Sequence, residues 1–105
     1  MKLITRVLIL VSLASNAATP TNDVLVRSLV KTHAQYGAMA NLHVRVVRQA
    51  GRYMYAMVTS EDDRFEPERA YFKMGKKQWQ VLDVGTGATC PDSGIPAYIC
   101  ERLAR

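Results

Sequence analysis

The sequence has no apolar run long enough to cross a membrane. Its longest, Leu3 to Leu13, spans roughly 11 residues, against the about 20 that a transmembrane helix needs. It holds only two cysteines and two histidines. A zinc site needs more ligands than that, and His33 and His43 are far apart and in no ligand-type spacing. No cysteine lies near Ala17, which argues against a lipid-anchored export signal. Acidic residues are few, 9 against 14 lysines and arginines, for a formal net charge of +5. The basic excess still falls short of the dense footprint of a nucleic-acid binder. There is no internal repeat beyond two hairpin-like units, and no low-complexity stretch.

What is present at the start is an address. Met1-Lys2 and Arg6 supply positive charge, the apolar run follows, and Ser15-Asn16-Ala17 places small residues where a signal peptidase reads. Cleavage is expected between Ala17 and Ala18. Residues 1–17 are therefore read as a signal peptide and residues 18–105 as one small domain, exported to the periplasm or the medium. Loss of Lys2 and Arg6 leaves 12 of the 14 basic residues against 9 acidic ones, a net charge near +3. A domain of this size buries only about 60–65% of its unfolded surface, so a covalent staple helps it. Cys90 and Cys100 read as that staple, since two cysteines in an exported chain pair first with each other. The loop they close, about 11 residues, is worth roughly 2.5–3 kcal/mol on the chain-entropy model.

Along residues 18–105, Thr21 or Asn22 can cap a helix, and Val24, Leu25 and Leu29 recur at helical spacing up to Gly37. The pattern predicts a helix over roughly residues 22–36. Leu42, Val44 and Val46 then alternate with His43, Arg45 and Val47, the two-residue period of a half-buried strand. Ala50-Gly51 turns the chain into a second run, Tyr53 to Thr59, to make a hairpin. Residues 61–68 form an acidic loop. Ala70, Phe72 and Met74 alternate with Tyr71 and Lys73, and Gly75-Lys76-Lys77 leads into a return strand from Gln78 to Val84. Strict alternation there puts Trp79, Val81 and Asp83 on one face and Leu82 and Val84 on the other. Ile95-Pro96 opens a last short helix with Ile99, Cys100 and Leu103 facing inward. The fold class is α+β: an N-terminal helix packed on a four-stranded antiparallel sheet of two hairpins, with a short C-terminal helix tied by a disulfide.

Trp79-Gln80-Val81-Leu82-Asp83-Val84-Gly85-Thr86-Gly87, then Cys90, Gly94-Ile95-Pro96, Cys100 and Leu103, resembles a pattern that recurs in short bacterial exported proteins. The general shape is similar to cystatin-like folds, in which a helix lies on a curved sheet. The resemblance implies that architecture and no activity, because such folds host inhibitors, binding modules and enzymes alike. It carries over no functional residue.

The residues themselves offer few sites. Glu61-Asp62-Asp63 with Glu66 and Glu68 lacks the alternating spacing and central glycine of a calcium loop and reads as a solvated charged loop. His33 and His43 lie among ordinary helix and strand residues. The two cysteines are better explained by each other than by thiol chemistry. Gly85-Thr86-Gly87 lacks the lysine of a phosphate-binding loop, and Trp79 reads as core. Arg45, Arg48 and Arg52 with Tyr53 form the leading candidate surface, since arginines among aromatics can grip phosphates, glycans or an acidic partner. The same residues also suit a solvated sheet face. No metal or other cofactor is implied, no specific nucleic-acid binding is expected, and no catalytic constellation is visible. The expected function is a non-catalytic binding or inhibitor-type module for an envelope or extracellular protein or polyanion. An enzyme with a pocket between helix and sheet is the rival reading, with polar residues expected on its inward face. A structural subunit would instead show a contiguous exposed apolar patch.

Overall fold

The computed structural model describes residues 19–105. The signal peptide expected over residues 1–17, with its expected cleavage after Ala17, lies outside the described residues.

Helix α1, Asn22–Thr32, begins where Thr21 takes an extended conformation and its Oγ1 accepts from the Val24 N–H at 3.4 Å. Asp23 in the first turn and Lys31 in the last complement the helix dipole. Leu25 and Leu29, four apart, are fully buried. The helix is shorter than the sequence pattern predicts. The Thr32 hydroxyl donates to the carbonyls of Ser28 and Leu29, and His33 leaves the helical region at φ −133°. A β-branched residue that bonds back to its own turn competes with helix propagation. The chain continues as a 3-10 turn, Ala34–Ala38, which delivers Tyr36 to the core. Asn41 then reverses direction in the left-handed region, φ 44°, which asparagine tolerates.

Four strands follow: β1 (His43–Ala50), β2 (Tyr53–Thr59), β3 (Glu68–Met74) and β4 (Trp79–Gly85). They form one antiparallel meander in the order β1-β2-β3-β4. The β1–β2 turn is two residues long and places Gly51 at φ 61°, a value that favours glycine. Two bulges break the alternation. One lies at Val47, between the pairs Val46↔Ala56 and Arg48↔Tyr55. The other lies at Leu82, between Phe72↔Val81 and Tyr71↔Asp83. Each inserts one unpaired residue and swaps the face of everything beyond it. Trp79 and Val81 are therefore joined on their face by Val84, not by Asp83 as strict alternation predicts.

The sheet is covered on both sides. On the first face α1 and Tyr36 pack against Val44, Met54, Ala56, Val58, Ala70, Phe72 and Trp79. On the second, Ala88, Ile95, Ile99 and Leu103 pack against Ala50 and Tyr71. Neighbouring residues such as Met54 and Tyr55, or Tyr71 and Phe72, belong to opposite clusters, as the strand period requires. The second layer is the short helix α2, Ala97–Leu103, brought back over β1 and β2 and joined to the preceding loop by the Cys90–Cys100 disulfide. The architecture is thus α+β, with a long helix on one face and a stapled short helix on the other. Among the described residues no helix is long and apolar enough to cross a membrane.

α1 is fastened to both edge strands. Asn22 Oδ1 accepts from the Val44 N–H at 2.6 Å, and Ser28 Oγ donates to the Trp79 carbonyl at 2.8 Å. The helix therefore runs obliquely from the start of β1 to the start of β4.

Candidate binding face

The face that carries α2 is only partly covered by it. Cross-strand register orders what remains. One row runs Arg45, Met57, Arg69, Gly85 across the four strands, and the next runs Arg48, Tyr55, Tyr71, Asp83. A third row is Ala50, Tyr53, Lys73, Gln80. Arg45 and Arg48 are three apart in sequence, so an unbroken strand would point them to opposite sides. The bulge at Val47 puts both on this face. Arg45, Arg48 and Arg69 are all exposed.

Between the arginines lie two tyrosines. The rings of Tyr55 and Tyr71 stack with centroids 5.2 Å apart and planes 18° from parallel. The Tyr55 hydroxyl donates to Met57 Sδ at 3.4 Å, so it points toward the Arg45–Arg69 row. Burial, and secondarily the neighbouring Tyr55, push the Tyr71 phenol above its ordinary pKa, while Arg69 opposes the rise. Tyr71 therefore remains neutral at physiological pH beside the permanent cation of Arg69. A cavity of about 280 Å³ opens here, lined by Tyr55, Arg69, Tyr71, Leu103 and the Cys90–Cys100 bridge. Its walls combine apolar body, hydroxyl and guanidinium, the mixture that holds an anionic group by bidentate hydrogen bonds over an aromatic floor.

Arg45 and Arg48 are thus brought together by the fold, and Tyr53 lies one row along on the same face. Its ring carries Lys73 Nζ at 5.6 Å from the centroid. Arg52 has a different place. It occupies the β1–β2 turn and donates through Nη2 to the carbonyl of Met74 at 3.0 Å. That bond ties the first hairpin turn to the second. Arg69 and Tyr71 complete the face and were not among the sequence candidates. Only the β2–β3 register aligns them with Arg45, and no short turn links those two strands to make that register legible.

The other sequence features have structural places. Cys90 and Cys100 are bonded to each other, with Cα atoms 5.8 Å apart. His33 bonds Thr32 Oγ1 and meets Tyr36 edge-on, and His43 is exposed. The acidic loop is organised by its own turn: Asp62 accepts from the Arg64 N–H, and Glu61 accepts from Asn41 Nδ2. Glu68 accepts the Tyr36 hydroxyl. No group of three metal-ligating side chains suited to an ion occurs among the described residues. Trp79 is core, 3% exposed. The space between α1 and the sheet is filled by Leu25, Leu29, Met54, Val58 and Phe72, all without exposed surface. The large exposed hydrophobics among the described residues, Val24, Val47 and Tyr98, lie on three different elements.

Comparison of the chain with family models, curated proteins and solved structures gives no match. The functional reading therefore rests on geometry.

Proposed function

We propose that this chain is an exported, disulfide-stapled, non-catalytic binding module that docks an acidic partner protein of the cell envelope or medium. Its working surface is the arginine–tyrosine face. One observation carries the reading. The Val47 bulge gathers Arg45 and Arg48 onto the face of Arg69, around the stacked pair Tyr55 and Tyr71. The face holds three arginines against one carboxylate, Asp83, which accepts from the neighbouring Val84 N–H, so it keeps a net positive charge that an acidic partner complements. Tyr55, partly exposed and held from behind by the buried Tyr71 ring, adds rigid contact area at low conformational cost, as in many interface centres.

The test is binding of acidic peptides to the wild-type chain and to the triple variant Arg45→Glu, Arg48→Glu, Arg69→Glu, followed by fluorescence anisotropy. Exposed ion pairs are worth about 0.5 kcal/mol each, so losing three should weaken binding about tenfold. Thermal unfolding checks that it still folds. Undiminished binding would remove this face from consideration. Export has its own assay, the intact mass of the protein recovered from the envelope and medium. A species that begins at Ala18 without free thiols supports the reading, and a full-length cytosolic species with two alkylatable thiols overturns it.

A further inference from the structure

No aspartate or glutamate occurs in residues 24–60 or in residues 69–82. The meander brings parts of both acid-free stretches to one end of the molecule, away from the acidic β2–β3 loop. The β1–β2 and β3–β4 turns lie side by side there, since the Met74 N–H donates to the Arg52 carbonyl at 2.8 Å. α1 reaches the same end through the bond from Ser28 to the Trp79 carbonyl. Along that seam a cleft of about 420 Å³ opens, with Arg27 and Lys31 on one wall and Gln78 and Trp79 on the other. Gln78 also borders a shallower space of about 680 Å³ beside Lys76 and Lys77, so the two adjoin around the edge of β4. No acidic side chain lines either. Among the described residues the ion pair of the structure is Glu101–Arg105, on the C-terminal segment, so these four cations have no carboxylate partner. Arg27 and Lys31 stand four apart on one helix face as a like-charge pair, and Asp23, one turn before Arg27, makes no ion pair with it.

We propose that this cleft and the β3–β4 hairpin tip form a binding track for a linear anionic polysaccharide, one that carries sulfate or phosphate groups along a flexible chain. The site is separate from the arginine–tyrosine face and adds a second ligand class. Two features select the ligand. Arg27 and Lys31 line a concave seam, which a flexible chain can enter and a flat bilayer cannot, and Lys76 and Lys77 flank the shallower ground that continues from it. The Trp79 indole is covered, so the track offers no aromatic platform for stacking bases, which single-strand nucleic-acid binders use. Charges spaced along a polymer can bridge Arg27 to Lys31 and continue to Lys76 and Lys77, relieving their repulsion.

The probe is a fluorescein-labelled heparin oligosaccharide, titrated with the purified chain over a range of salt concentrations. Four contacted charges predict that log K falls with log salt at a slope of about −3, by analogy with single-stranded polyanions. The variants Arg27→Gln/Lys31→Gln and Lys76→Gln/Lys77→Gln should each weaken binding at least about fivefold. The charge-matched control Arg64→Gln/Arg102→Gln should change it less than about twofold. All the substituted side chains are exposed, and thermal unfolding verifies that each variant folds. The proposal is overturned by absence of binding at about 50 mM salt, or by equal losses in the control. Tighter binding to single-stranded DNA of matched charge, or to anionic phospholipid vesicles, overturns the assignment to a polysaccharide.

Discussion

Replacing Cys90 and Cys100 together by alanine tests how the second layer is held. The bridge spans a sequence separation of 10, for which the loop-closure model gives about 2.7 kcal/mol. The packing it guards is small: Ile95, Ile99 and Leu103 on Ala50, Tyr71 and Ala88. α2 has 7 residues, well short of the length at which an isolated helix persists in water. Its place on the sheet therefore depends on the tether and on two buried side chains, Ile99 and Leu103. Urea unfolding should lose about 2–4 kcal/mol in the double variant, and Tm should fall by about 10–20 °C. Hydrogen exchange should locate the loss. The amides of Ile99, Cys100 and Ala104, bonded within the α2 segment, should become exchangeable while those of β2 and β3 keep their protection. The near-ultraviolet dichroism of the stacked Tyr55 and Tyr71 should change with it. A loss below about 1 kcal/mol, or α2 amides as protected as those of the central strands, would refute the reasoning.

Two further perturbations probe the first layer. The Tyr36 phenol is held well above its ordinary pKa, chiefly by burial and then by its hydrogen bond and proximity to Glu68. The folded state thus favours the protonated phenol, so this contribution is complete below pH 10 and is lost as the pH rises above that ordinary value. Urea midpoints should decline above pH 10, and Tyr36→Phe should flatten that decline while costing about 1.5 kcal/mol at neutral pH; an unchanged alkaline slope counts against it. Asn22→Ala leaves the buried Val44 N–H without its 2.6 Å acceptor and should cost about 1–3 kcal/mol, read by the same unfolding assay. A neutral substitution would mean that α1 is seated on β1 by its apolar contacts alone.

Much of the fold was legible along the chain because it is built from local patterns. Helical spacing of Leu25 and Leu29, alternation through Val44 and Phe72, and Gly51 between two strands each state a local geometry. The end of α1 was less legible, since Thr32 interrupts the helix through bonds to its own preceding turn while the apolar pattern continues. The candidate site was half legible. Arg45, Arg48, Arg52 and Tyr53 are neighbours in sequence, and the fold keeps three of them on one face while tying Arg52 into the turns.

The sequence by itself determined the class: a basic chain, one cysteine pair, and a helix followed by two hairpins. These follow from composition and from periods of 3.6 and 2, which are properties of neighbouring residues. The tertiary structure decided which side chains share a surface. A bulge adds one unpaired residue and reverses the faces beyond it, and nothing in the residue types at Val47 or Leu82 announces one. The register between β2 and β3 is set by packing on both faces of the sheet, not by a turn, so Arg69 and Tyr71 meet Arg45 and Tyr55 only in the folded molecule. The basic cleft has the same origin. Arg27 and Lys76 are distant in sequence, and they come to one end because α1 crosses the sheet obliquely to cap the start of β4.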